Sequence, residues 1–136
     1  MADKARRVDY WYVTVPDRPG EAMKVLKPLK DGNVNMLAQL AFPSGNGQTQ
    51  LDLVPENVDA FRSTAAKAGL KLSDSKRAFH VQGSDRPGAV ADTLSKLADA
   101  SVNVTSYAAS CAGGSYGLIV WVSPADYERA AQALGV

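Results

Sequence analysis

Residues Val8 to Val15 alternate in character, with Trp11, Val13 and Val15 on one face and Tyr10, Tyr12 and Thr14 on the other. This is the two-residue period of a strand built from aromatic and β-branched side chains. Pro19 and Gly20 then lead into Ala22, Val25, Leu26 and Leu29, the i, i+3, i+4, i+7 stripe of an amphipathic helix with proline in its first turn. Gly32 ends that helix, and Pro28, which lacks an N–H and crowds the preceding turn, predicts a kink or an early stop. Asn35 to Phe42 reads as a strand, Pro43 to Gly47 as a turn tolerant of positive φ, and Gln48 to Val54 as the returning strand of a hairpin. Pro55-Glu56 opens a second helix carrying Val58, Phe61, Ala65 and Ala68; it stops at Gly69 before a short strand, Leu70 to Ser73. The order is βαββαβ.

The same pattern then runs again. Asp17-Arg18-Pro19-Gly20 recurs 68 residues later as Asp85-Arg86-Pro87-Gly88. At that offset Trp11 matches Phe79, Val13 matches Val81, Leu26 matches Leu94, Leu29 matches Leu97 and Val34-Asn35 matches Val102-Asn103. Beyond the hairpin the register continues after one added residue, with Val58 opposite Tyr127. The second copy predicts a strand to Gln82, a helix from Pro87 to about Ala100, a strand from Val102, a turn at Gly113-Gly114, a strand to Val122 and a helix from Pro124. Gly135-Val136 leave almost nothing for a sixth element, so this copy should lack most of its last strand and have an exposed or borrowed sheet edge. In the first copy Gln48, Gln50 and Asp52 alternate with Thr49, Leu51 and Leu53, as in a sheet wet on one side. In the second, Tyr116, Leu118, Val120 and Val122 alternate with Gly117, Ile119 and Trp121, so that strand should be buried on both faces. Helices cover one face only, so the other should pack on the other repeat or on a second chain, which makes a homodimer an expectation.

Paired βαββαβ units, each with a strand, then Asp-Arg-Pro-Gly, then a helix running into Val-Asn, resemble tandem ACT domains over nearly the whole chain, in particular small free-standing proteins with two such repeats. The resemblance implies an α+β fold of two ferredoxin-like units with antiparallel sheets and helices on one face, divided as residues 1–75 and 76–136. It further implies a regulatory protein that binds an amino acid or another small ligand where two units meet, contacted mainly by main chain. Such a protein tunes an enzyme of amino-acid metabolism, which makes a metabolic enzyme a partner.

Composition narrows the alternatives. The chain has 136 residues, 46% hydrophobic and 21% charged, with a formal net charge of +1. That balance suits a globular protein and supplies no basic field for nucleic acid. Tyr10, Trp11 and Tyr12 lack the basic cluster that a base-stacking platform needs, so they read as packing residues. No apolar run approaches the roughly 18 residues of a membrane span. A lone Cys111 and an N-terminus without an apolar signal core place the protein in the cytoplasm as the default expectation.

An amino-acid zwitterion needs donors for its carboxylate and an acceptor for its ammonium. Backbone N–H groups around Gly20 and Gly88 open helices, where unpaired donors and the helix dipole favour an anion. Asp17 or Asp85 can serve the ammonium, and the amides of Asn35 and Asn103, expected near the same end of the sheet, each offer a donor and an acceptor. The candidate site is therefore Asp17, Arg18, Pro19, Gly20 and Asn35 in the first copy and Asp85, Arg86, Pro87, Gly88 and Asn103 in the second. The same residues equally suit an ordinary strand-to-helix turn capped by aspartate, with the asparagines serving turn backbone groups. Arg18 and Arg86 read as solvated. His80 has no companions at metal-ligand spacing and reads as structural. Cys111 has no base placed beside it and reads as an ordinary thiol. Neither a catalytic residue nor a metal or cofactor is expected. Two other functions compete: an assembly module docking through the apolar strand around Trp121, and an acylphosphatase-like hydrolase suggested by His80-Val81-Gln82-Gly83. The second is opposed by Ser84-Asp85, which puts a negative charge where an anion would sit.

Overall fold

A computed structural model describes residues 2–136. The chain divides into two compact units, one of Asp9–Lys76 and one of residues 2–8 with Arg77–Val136. Residues 2–8 thus depart from the expected division, because a single long strand, β1 (Lys4–Pro16), begins in one unit and ends in the other.

In the first unit β1 is followed by α1 (Glu21–Asp31), β2 (Met36–Gly45), β3 (Gln48–Pro55) and α2 (Val58–Ala68). Its strands lie in the order β2-β3-β1, antiparallel throughout. Trp11, Val13, Leu51 and Leu53 on the sheet meet Val25 and Leu29 of α1 and Phe61 of α2. The rings of Trp11 and Phe61 lie 5.2 Å apart. α1 runs through Pro28 to Asp31 without the expected early stop. A proline this near the C-terminus forfeits one helical bond, while Leu29 just beyond it is buried and holds the last turn in place. Leu70 to Ser73 do not form a strand. Ser73 donates its N–H to Tyr12 O at 2.9 Å, but the Tyr12 N–H is taken by the Ser73 hydroxyl at 2.9 Å, so a side chain stands where a ladder carbonyl would be. The wet face expected of β3 is also corrected: Asp52 is buried and accepts a hydrogen bond from Gln50 Nε2 at 2.8 Å. Two polar side chains that satisfy one another can be buried where either alone would be costly.

The second unit contains β4 (Lys76–Ser84), α3 (Ala89–Asp99), β5 (Val104–Ala112), β6 (Ser115–Val122), a 3₁₀ turn at Pro124–Asp126 and α4 (Tyr127–Leu134). Its strand order is β1-β4-β6-β5. No strand follows α4 among the described residues, and the edge this leaves on β4 is filled by the first residues of β1, so the borrowed edge expected from the sequence has a donor. The two strands run antiparallel, since Asp3 lies against Gly83 while Arg7 and Arg77 share Glu128. Arg7 meets the Glu128 carboxylate at 2.9 and 3.0 Å, and the Arg77 guanidinium stacks 3.9 Å from the centre of the Tyr127 ring. Both faces of β6 are buried, as the apolar alternation predicts: Tyr116, Leu118 and Val120 join the core with Leu97 and Tyr127, while Ile119 and Trp121 are 3% and 8% exposed on the other face. That burial is reached within the single chain, so the Trp121 strand presents no surface for a docking partner and supplies no reason for a second copy. No helix among the described residues is long and apolar enough to cross a membrane.

Gly83 shows how closely the borrowed strand sits. A Cβ at this position would overlap Asp3 Oδ1 and come within 2.9 Å of the Tyr116 ring. Gly83→Ala is therefore expected to expel the Asp3 carboxylate and to cost about 1–3 kcal/mol in chemical denaturation. In an Asp3→Ala background the cost should shrink; equal costs in both backgrounds would mean that residues 2–8 do not hold this edge in solution.

Candidate functional site

Each Asp-Arg-Pro-Gly segment joins the end of a strand to the start of a helix. The backbone is the same in both copies: Asp17 N–H donates to Gly47 O at 2.8 Å and Asp85 N–H to Gly114 O at 2.9 Å. Gly20 and Gly88 then take left-handed φ values of 83° and 81° as N-caps of α1 and α3, a conformation that favours glycine. Neither helix has a side-chain cap, and the Glu21 and Ala89 N–H groups donate to the Arg18 and Arg86 carbonyls at 3.3 Å, which leaves the N–H groups of the next two residues of each first turn without an intrahelical acceptor. The turn reading and the ligand reading share this geometry, except that neither aspartate acts as a cap.

The side chains differ. In the first unit Asp17 accepts from the Thr49 hydroxyl at 3.0 Å, and Arg18 reaches only Glu21, at 3.2 Å. Glu21, the first residue of α1, also meets Lys24 at 3.2 Å, and the Lys24 hydrogen bond holds its carboxyl below the usual range. In the second unit Asp85 accepts from the Cys111 thiol at 3.2 Å. Arg86 is exposed, as expected, but it is also paired. It grips both oxygens of Asp3, at 3.0 and 2.9 Å, and adds Asp92 at 2.8 Å and Ser84 O at 3.3 Å. Asp3 and Asp92 raise the guanidinium pKa further, and Arg86 in turn lowers that of Asp3. An arginine so engaged is a clamp on the N-terminal strand and is not free to grip a phosphate, which leaves the acylphosphatase reading without its arginine.

Beside this second loop lies a cavity of about 210 Å³, lined by Asp85, Arg86, Gly88, the first turn of α3, Ala109 to Cys111 and Tyr116. It is smaller than a typical drug-sized pocket. Tyr116 is 3% exposed, with its hydroxyl buried beside Asp3 and Thr93. Burial is the chief cause pushing its pKa up. Sequence reasoning missed Tyr116 and Cys111 as site residues. The signal for Tyr116 was a large polar-tipped ring in an otherwise aliphatic strand, beside the hairpin that closes on the Asp85 loop. Asp85, by accepting the thiol hydrogen, raises the Cys111 pKa and opposes thiolate formation, which argues against a nucleophile there.

Asn35 and Asn103 are not where the sequence suggested. β2 begins at Met36, paired with Pro55, whereas its hairpin end pairs Gly45 with Gln48, the neighbour of Pro16. In the second unit Val104 pairs with Val122 and Ala112 with Ser115, the neighbour of Ser84. Each asparagine therefore stands at the end of its unit's sheet away from its Asp-Arg-Pro-Gly loop, a full helix length removed. Asn35 binds Glu56, donating from Nδ2 at 2.9 Å and accepting at its main-chain O at 3.0 Å. Among the described residues no three His, Cys, Asp or Glu side chains are grouped to hold a metal ion.

No protein-family model and no curated protein matches this chain. Its fold is found in solved structures. A protein from Bacteroides thetaiotaomicron superposes with a TM-score of 0.80 at 14% identity, covering 96% of this chain and 88% of the other. The ligand-free regulatory subunit of aspartate kinase from Thermus thermophilus gives 0.62 at 18% identity, covering 99% and 95%. Aspartate kinase from Synechocystis gives 0.61 at 17% identity, covering 98% of this chain and 25% of the enzyme. At these identities the likeness establishes the fold alone, an α+β arrangement of antiparallel strands and helices.

The buried titratable residue nearest this loop along β4 is His80. Burial, and secondarily the Arg6 charge, pulls its pKa below the ordinary 6.5. The unfolded chain thus binds the proton more readily, so this contribution to stability is complete above about pH 6.5 and is lost as the pH falls toward the folded value. The melting temperature should fall between pH 7.5 and pH 5.5, with a slope from this group no steeper than about 1.4 kcal/mol per pH unit. His80→Gln should flatten that fall; an unchanged slope would assign it to other groups.

Proposed function

We propose that this chain is a regulatory protein that senses a small amino acid and has no catalytic activity of its own. The observation that carries the reading is the cavity beside α3. One wall offers uncapped helix N–H groups suited to a carboxylate, another offers the Asp85 carboxylate suited to an ammonium, and the volume admits only a small molecule. The fold it shares with structures described as aspartate kinase regulatory subunits supports a regulatory role in amino-acid metabolism, exerted on an enzyme partner. The absence of an activated nucleophile is consistent with it: the one thiol at the cavity is held protonated by its neighbour. The cytoplasm is the compartment this reading favours.

The test is thermal unfolding of the full chain with each standard amino acid at millimolar concentration. A ligand present at 100 times its Kd adds about 2.7 kcal/mol to the native state, a rise of several degrees for a chain of this size. One amino acid or a related few should raise the melting temperature, and Asp85→Asn should abolish the rise. A flat response across the panel would remove the amino-acid reading.

A further inference from the structure

The strand that residues 2–8 add to the second unit is lightly held. Of its side chains only Ala5 packs against the core, while Ala2, Lys4, Arg6 and Arg7 are exposed. Its two clamps, Asp3 on Arg86 and Arg7 on Glu128, lie at the surface, where ion pairs stabilise little. An element with so little buried apolar area opens at lower cost than the unit it belongs to.

Beneath that strand sits a buried base. His80, in the middle of β4, is 7% exposed, and a Cβ on Gly117 of β6 would stand 3.6 Å from its Nε2. Its partner across the β4–β6 ladder is Ile119, and neither β5 nor β6 carries a charged residue. Asp3 lies against Gly83 in an antiparallel pair, so three residues along each strand bring Arg6 opposite His80. Lys4 follows on the same face of the strand. Among the described residues Arg6 is the charge that acts on the imidazole, and no carboxylate offsets it.

A protonated His80 is therefore a buried cation facing a second cation, and burial first and the like charge second oppose it. Lifting residues 2–8 from β4 takes Arg6 away and lets water reach the ring. The open form binds the proton more readily, so acidification favours opening. The clamps do not titrate in the same range. Arg86 and Arg7, through their hydrogen bonds, hold the Asp3 and Glu128 carboxyls below the usual carboxylate values, so both stay ionised between pH 7.5 and 5.5.

We propose that His80 is an acid trigger for the borrowed strand: when the imidazole takes up a proton, residues 2–8 leave the β4 edge while the rest of the second unit stays folded. The device needs no ligand and is independent of the sensor reading.

The experiment is native-state amide hydrogen exchange of the full chain between pH 7.5 and 5.5, read as protection factors so that the intrinsic pH dependence cancels. The protected amides among residues 4–8 should exchange more readily than those of Leu118 to Val120, which wait for the whole unit to unfold. Their protection should fall as the pH drops below about 6.5, by at most about tenfold per pH unit for a single proton. In His80→Gln it should stay level across the range. Arg6→Gln should shrink the fall and raise the midpoint of the His80 ring titration followed by NMR, a readout that does not need His80→Gln to fold. Level protection of residues 4–8 in the wild type, with a fall at Leu118 to Val120, would show that His80 takes its proton only on global unfolding and would overturn the proposal. Equal protection of the two segments at every pH would overturn it as well, because the strand would then open only with the whole unit. An unmoved midpoint in Arg6→Gln would overturn the part given to Arg6.

Discussion

The second unit depends on a strand from the far end of the sequence. Without residues 2–8, β4 would expose a row of unpaired N–H and C=O groups, and a free edge of this kind invites pairing with other chains. The clamp that holds the strand is two-ended: Asp3 on Arg86 across a separation of 83 residues, and Arg7 on Glu128 across 121. Each pair is exposed, and an isolated exposed pair stabilises little. Their importance is positional, because they fix the register of a strand whose backbone pairing completes the sheet. A fold closed by such distant contacts has to bring its two ends together before the second core is sealed, and contacts of that range slow folding.

That clamp also explains why one motif has come to do two jobs. Arg18 finds its partner three residues away, at Glu21, and stays within its own turn. Arg86, in the same place on the same backbone, finds alanine at the equivalent position and reaches instead to Asp3 and Asp92. Two equivalent positions differ, Glu21 against Ala89 and Lys24 against Asp92, and the second arginine follows the carboxylates to hold the borrowed strand.

Much of this architecture was legible in the sequence because it is periodic. The doubled Asp-Arg-Pro-Gly, the helical stripes at Val25 and Leu29 and at Leu97, and the two-sided apolar run at Tyr116 to Val122 all report local geometry, and the missing last strand followed from counting elements. What was not legible depended on partners distant in the chain. Nothing near Lys4 to Val8 says that these residues complete the other repeat. Asp52 read as solvent-facing because the hydrogen bond from Gln50 that lets it be buried is not visible in an alternating pattern. Asn35 and Asn103 were placed beside the loops because they recur at a fixed distance from them. The helix between carries the chain back along the sheet, and a constant spacing does not reveal direction.

Three ionisable groups at the cavity are held in their unreactive forms. Catalysis needs a group whose protonation is poised for transfer or attack, whereas here the ionisable groups are pushed away from reactivity. Cys111 is held as a thiol by Asp85, Tyr116 as a neutral hydroxyl by burial, and Arg86 as a cation by two carboxylates. Fixed donors and acceptors of this kind recognise by complementarity. Arg86 borders the cavity and also clamps the edge strand, so the cavity and the borrowed strand share a residue, and any molecule that bound only the folded form of that loop would stabilise the strand with it.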